Sequence, residues 1–74
     1  MIVVNCALRQ EDIIEMVENI EIENNKGFKF IKKQGIKLYF ESDFSDMKNA
    51  CSTIKQTIKG SDWGKVLYFN VVTE

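Results

Sequence analysis

Few residues in this chain can do chemistry, and their spacing narrows what that chemistry can be. The sequence of 74 residues contains no histidine, which removes the commonest general base and the commonest metal ligand. Cys6 and Cys51 are its two cysteines. They lie too far apart for a CxxC motif and are too few for a disulfide framework, so both read as buried, reduced thiols. Glu41, Asp43 and Asp46 gather just ahead of a helical pattern. Such carboxylates can hold a metal or work as an acid-base pair. They follow no spaced metal-loop signature, however, and helix capping with favourable dipole placement is the preferred reading. Gly60 and Gly64 bracket Ser61, Asp62 and Trp63. That loop follows a helix and precedes a strand, the reverse of a phosphate-binding loop, and reads as a connector. Trp63 either folds back onto the core edge or projects as an anchor for a partner. With no nucleophile, base, metal or cofactor constellation, a non-enzymatic protein is expected.

Charge is distributed in blocks. Residues 1–25 set Arg9 against Glu11, Asp12, Glu15, Glu18, Glu21 and Glu23, whereas residues 26–40 hold Lys26, Lys29, Lys32, Lys33 and Lys37 with no acid. The net charge of -1 argues against a polyanion-binding molecule as a whole. The lysine block reads first as protection of an exposed edge strand against aggregation. Its alternative use is to draw an anion or an acidic partner surface. Nine lysines beside one arginine, with abundant Ile and Asn, point to an AT-rich genome and a small bacterial or phage protein.

The elements that must position these groups follow from periodicity. Residues 1–8 alternate, with Ile2, Val4, Cys6 and Leu8 on one side, as a strand with one buried face does. From Gln10 the period changes to helical, with Ile13, Met16, Val17 and Ile20 recurring every three or four residues up to about Asn19. Residues 28–41 read as a hairpin about Gly35. A three-residue loop of Lys33, Gln34 and Gly35 aligns Phe28, Phe30, Ile36, Leu38 and Phe40 on one face and Lys29, Ile31, Lys37, Tyr39 and Glu41 on the other. A two-residue loop would split the phenylalanines between faces, leaving burial worth about 2 to 3 kcal/mol each unrealised. Ser42 or Ser45 is expected to cap a second helix whose stripe is Met47, Ala50, Cys51, Ile54 and Ile58, with Gly60 as its stop. Residues 65–73 form the last strand, with Leu67, Phe69 and Val71 on one side and Val66, Tyr68, Asn70 and Val72 on the other.

The order strand, helix, strand, strand, helix, strand defines one α+β domain, residues 1–74. Right-handed crossovers make it a ferredoxin-like βαββαβ two-layer sandwich, an antiparallel four-stranded sheet with two helices on one face. Residues 20–23 offer a variant, an extra short strand paired with residues 28–31 to give five strands. No segment approaches the 18 apolar residues of a membrane span and no signal-peptide pattern opens the chain, so a cytoplasmic protein with no membrane partner is expected.

In this arrangement the second sheet face stays open and carries Asn5, Lys29, Lys37, Tyr39, Val66, Tyr68 and Asn70. Two tyrosines among lysines suit a stacking platform for single-stranded nucleic acid. Lys26, Gly27, Phe28, Phe30 and Ile31 match five of eight positions in the third-strand signature of the RNA recognition motif, so this stretch resembles that family. Lys29 and Lys33 depart from it. The resemblance implies RNA binding with Phe28 and Phe30 turned outward, contrary to the register above. The expectation favoured here is a protein-interaction or regulatory module acting through the open face, with a protein partner or a second copy as its target. Its contact surface is Lys29, Lys37, Tyr39, Val66, Tyr68, Asn70 and Trp63, and nucleic-acid binding is the alternative.

Overall fold

The computed structural model describes residues 1–22 and 24–74. Glu23, assigned above to the acidic block and to the optional short strand, lies outside the described residues. Strand β1 spans Ile2–Asn5 and helix α1 spans Gln10–Glu18. Two short strands follow, β2 at Glu21–Ile22 and β3 at Asn25–Lys26, and then the long pair β4 at Phe28–Gln34 and β5 at Lys37–Ser42. Helix α2 covers Met47–Lys59, a 3-10 turn covers Gly64–Val66, and β6 closes the order at Asn70–Thr73. The architecture is α+β. The main sheet has the order β4-β5-β1-β6 with antiparallel neighbours, and β2 and β3 form a separate ladder.

Both helices cover the same sheet face. Ile13 and Val17 of α1 and Ala50, Ile54 and Ile58 of α2 join Ile2, Val4, Cys6, Leu38 and Phe40 in one buried cluster. Full burial of each large aliphatic or phenyl group there is worth about 2 to 3 kcal/mol, and these contacts hold the two layers together. The alternation in β1 and the helical period in α1 are as the sequence implies, including closure of α1 at Asn19. Leu8, however, is 66% exposed. The ladder stops at Asn5, and Arg9 turns the chain into α1 through a left-handed conformation, φ 58°.

The described residues 20–22 and 24–26 do not add a fifth strand to the main sheet. Glu21 pairs with Lys26 and Ile22 with Asn25 about a left-handed Asn24, φ 65°, so the ladder folds on itself. On β4, the Phe30 N–H instead donates to the Glu18 carboxylate of α1 at 3.2 Å. A helix side chain thus takes an edge donor that another strand would have used, which blunts the edge.

The hairpin corrects the expected loop yet keeps Phe28, Phe30, Leu38 and Phe40 on the core side. Gln34 pairs with Lys37, so the turn has two residues, Gly35 and Ile36, and Gly35 supplies the positive φ of 61°. A bulge between Phe30 and Lys32 then shifts the register by one. Phe30 therefore still faces Phe40, their rings edge to face at 5.6 Å between centroids. The parity argument assumed one uninterrupted ladder, and a bulge supplies the same correction as a longer loop. Ile36, assigned to the core, sits in the turn and is 53% exposed.

Helix α2 is capped by Asp46 rather than by Ser42 or Ser45. The Asp46 carboxylate accepts from the Asn49 N–H at 3.1 Å, while the Ser42 hydroxyl accepts from the Phe44 N–H at 3.1 Å. The last strand is shorter than residues 65–73. Lys65 N–H bonds to the Ser61 carbonyl and Leu67 N–H to that of Gly64, local bonds that keep residues 64–67 out of the ladder. Leu67, Phe69 and Val71 nevertheless pack against the core as the alternation requires.

Two glycines carry backbone demands of different kinds. A Cβ on Gly64 would collide with the Ile58 carbonyl oxygen, a backbone atom that cannot swing aside. Gly35 has open space around it but a left-handed φ. Urea denaturation should therefore show Gly64→Ala costing on the order of 3 kcal/mol. Gly35→Ala should cost about 1 kcal/mol, and Gly35→Asn less. Equal stabilities for Gly64→Ala and wild type would contradict the close approach.

Candidate functional site

The sheet face without helices is less open than its residue types suggest. Val3 is wholly buried and Tyr39 only 8% exposed, although no helix covers them. Because of the bulge, Lys32 rather than Ile31 stands opposite Tyr39, and its ammonium lies 4.8 Å from the ring centroid. Val3 is flanked by Tyr39 and Val72 on the neighbouring strands. An ion pair from Lys37 to Glu74, 3.8 Å, joins side chains rooted on either side of β1 and so crosses the strand on this face. Asn5 adds a hydrogen bond to Asn70 at 2.6 Å. Tyr39, assigned as an outward contact residue, is thus a packed one. Lys29, Lys37 and Asn70 are exposed as expected.

The RNA recognition motif resemblance fails at its aromatic positions. Phe28 is 5% exposed and meets the Phe44 ring edge to face at 5.2 Å, and Phe30 is held by Phe40. Neither ring is presented to a base.

Exposed apolar surface collects at one end of the sheet instead. Val66 is 80% exposed and Tyr68 97%. With Leu8, they surround a small pocket of about 170 Å³ floored by Cys6, Ala7 and Leu67. Ile36 joins this end because its carbonyl accepts from the Cys6 N–H at 2.9 Å. Val66 and Tyr68 are readable from the alternation of the last segment. Leu8 and Ile36 escape it because they follow the ends of ladders whose length depends on partners far away in the chain.

A second concave surface lies on the helical side. A groove of about 590 Å³ runs along α1 and α2, lined by Asp12, Glu15 and Glu21 on one side and by Thr53, Thr57 and Trp63 on the other, over Met16 and Ile20. Trp63 folds back here, half-buried against the core edge. The Arg9 guanidinium stands 5.7 Å from the indole centroid and pairs with Asp12 at 3.2 Å. The sequence shows the acidic helix and the tryptophan separately. Their meeting depends on how α1 and α2 pack, which periodicity does not fix.

Two of the remaining reactive groups, Asp46 and Cys6, make local structural hydrogen bonds. Asp46 caps α2, and among the described residues no group of three His, Cys, Asp or Glu side chains is arranged to hold a metal. Burial pushes the Cys51 thiol above its ordinary value, opposed in part by the terminal ammonium. The Cys6 thiol donates to the Leu8 carbonyl at 3.1 Å. Among the described residues, no helix is long and apolar enough to cross a membrane. Comparison of the chain with protein-family models, with curated proteins and with solved structures gave no match.

Of the two thiols expected to be buried, Cys6 is, whereas Cys51 is only partly so; alkylation of Cys6 at pH 8 should therefore be slow in the native protein and at least about tenfold faster in guanidinium. Rapid native labelling of Cys6, read by mass spectrometry, would contradict its burial.

Proposed function

We propose that this chain is a small non-enzymatic protein-interaction or regulatory module that self-associates through the apolar end of its sheet. The observation that carries this reading is the concentration of Leu8, Ile36, Val66 and Tyr68 there, each more than half exposed. Apolar groups grouped in this way on a small domain mark contact surfaces, whereas scattered ones do not. Tyrosine is prominent among the residues that dominate binding energy, and Tyr68 has almost its whole surface free to be covered. A domain this small also gains stability from association that its own core supplies only in part.

The partner is a second copy, and a two-fold arrangement suits a single patch that must meet itself. Lys37 and Asn70, on the adjoining part of the sheet, would form the polar margin. The architecture is read as ferredoxin-like. That reading is supported by the antiparallel order β4-β5-β1-β6 and by helices that link non-adjacent strands, with the β2-β3 ladder as an addition. Single-stranded nucleic acid would have Lys29, Lys32, Lys33 and Lys37 to follow its backbone, but Tyr68 alone as a freely exposed ring among the described residues. Successive stacking partners are therefore missing.

Sedimentation equilibrium tests the proposal. Wild type should show a concentration-dependent dimer, and the double variant Val66→Ser, Tyr68→Ala should weaken it by at least about 30-fold, the effect of losing one or more hot-spot side chains. Circular dichroism should be unchanged, since both side chains lie outside the core. A monomeric wild type at millimolar concentration would overturn the proposal.

A further inference from the structure

The groove between the helices brings Trp63 into one concavity with Glu15 and Glu21. Among the described residues, ion pairs join Arg9 to Asp12 and Lys37 to Glu74, and none reaches Glu15 or Glu21. Both acids nevertheless line the same concavity as Trp63. Arg9 stands beside it, against the lining residues Asp12 and Trp63. Its guanidinium bonds to a carboxylate and lies near the indole, the two contacts by which an arginine is best recognised at a protein surface. The molecule thus contains an internal example of such contacts beside the groove, and although the Lys26 ammonium reaches the lining residue Asn19 at 3.3 Å, it makes no ion pair with Glu15 or Glu21.

We propose that this groove binds an arginine-bearing segment of a partner protein. One guanidinium of the partner pairs with Glu15 or Glu21 while its planar face meets Trp63, and Met16 supplies apolar contact for the side-chain stem. Charge complementarity commits the surface to a basic occupant, and the indole selects guanidinium over ammonium. Arg9 is then an internal competitor. It is held in place from a left-handed backbone position, φ 58°, that a glycine would adopt without strain. This surface is on the helical side of the molecule and does not depend on the apolar sheet end, so self-association and segment binding stand or fall separately.

Trp63 is the single tryptophan of the chain, so its fluorescence reports the groove directly. Titration of the full chain with a short peptide of alternating Arg and Ala should give a saturable change in emission. The same peptide with Lys in place of Arg should bind more weakly, and the Glu version should give no change. Neutralising the acids with Glu15→Gln and Glu21→Gln should weaken binding about tenfold, as expected for two partly exposed charge contacts. Arg9→Gly should tighten it about threefold by removing the internal cation–π partner. An affinity for the Arg peptide unchanged in the double variant would overturn the proposal. So would an emission change that follows protein concentration with no peptide present, because that result would assign the groove to the lysine hairpin of a second copy.

Discussion

The structure depends on burying a four-residue strand on both of its faces. Ile2, Val3 and Val4 of β1 are fully excluded from water and form the axis of the sheet, with β5 on one side and β6 on the other. One face is sealed in the ordinary way, by apolar side chains from two helices. The other has no layer of its own, and neighbouring residues seal it: Tyr39 and Val72 beside Val3, Lys32 over the tyrosine, and the Lys37–Glu74 pair across the strand. Long lysine stems shield apolar surface while their charges stay wet, which lets a small domain omit a third layer. The most exposed apolar side chains consequently lie at the end of the sheet, and the larger concavity lies on the helical side.

Element types were legible from the sequence wherever a side chain's environment is set by near neighbours. The alternation in β1, the period of α1 and the stop at Gly60 belong to this class. Features set by distant partners were not legible. The last strand shrinks to Asn70–Thr73 because β1 offers only four ladder positions and local bonds hold residues 64–67 elsewhere. The bulge at Ile31 leaves no signature in residue type, yet it decides which side chain covers Tyr39. The exposure of Val66, Tyr68 and Asn70 followed from periodicity, whereas the burial of Tyr39 did not, because covering by a lysine across a shifted register cannot be read from a pattern of apolar residues. The groove on the helical side shares this limit, since Trp63 reaches the acidic helix only through tertiary packing.

The opposed charge blocks acquire a division of labour in three dimensions. Exposed lysines line the hairpin strand at the sheet margin, and the carboxylates of α1 do two different things. Glu18 turns to the backbone of β4 and satisfies an edge donor, while Glu15 helps to line the groove. Residues on successive turns of one short helix thus serve the integrity of the sheet and the electrostatics of a surface, and a change of charge at one position need not disturb the other.

The pairing of β1 with β6 also bears on how the chain reaches its native state. Asn5 and Asn70, joined across these strands, lie 65 residues apart, whereas the β4-β5 hairpin closes over a two-residue turn. Loop-closure entropy favours the local pairing first and defers the distant one. During synthesis the first strand must wait, both edges unsatisfied, until the hairpin provides one neighbour and the final residues provide the other. In kinetic measurements, substitutions in the hairpin should slow refolding, while those in β6 should mainly hasten unfolding.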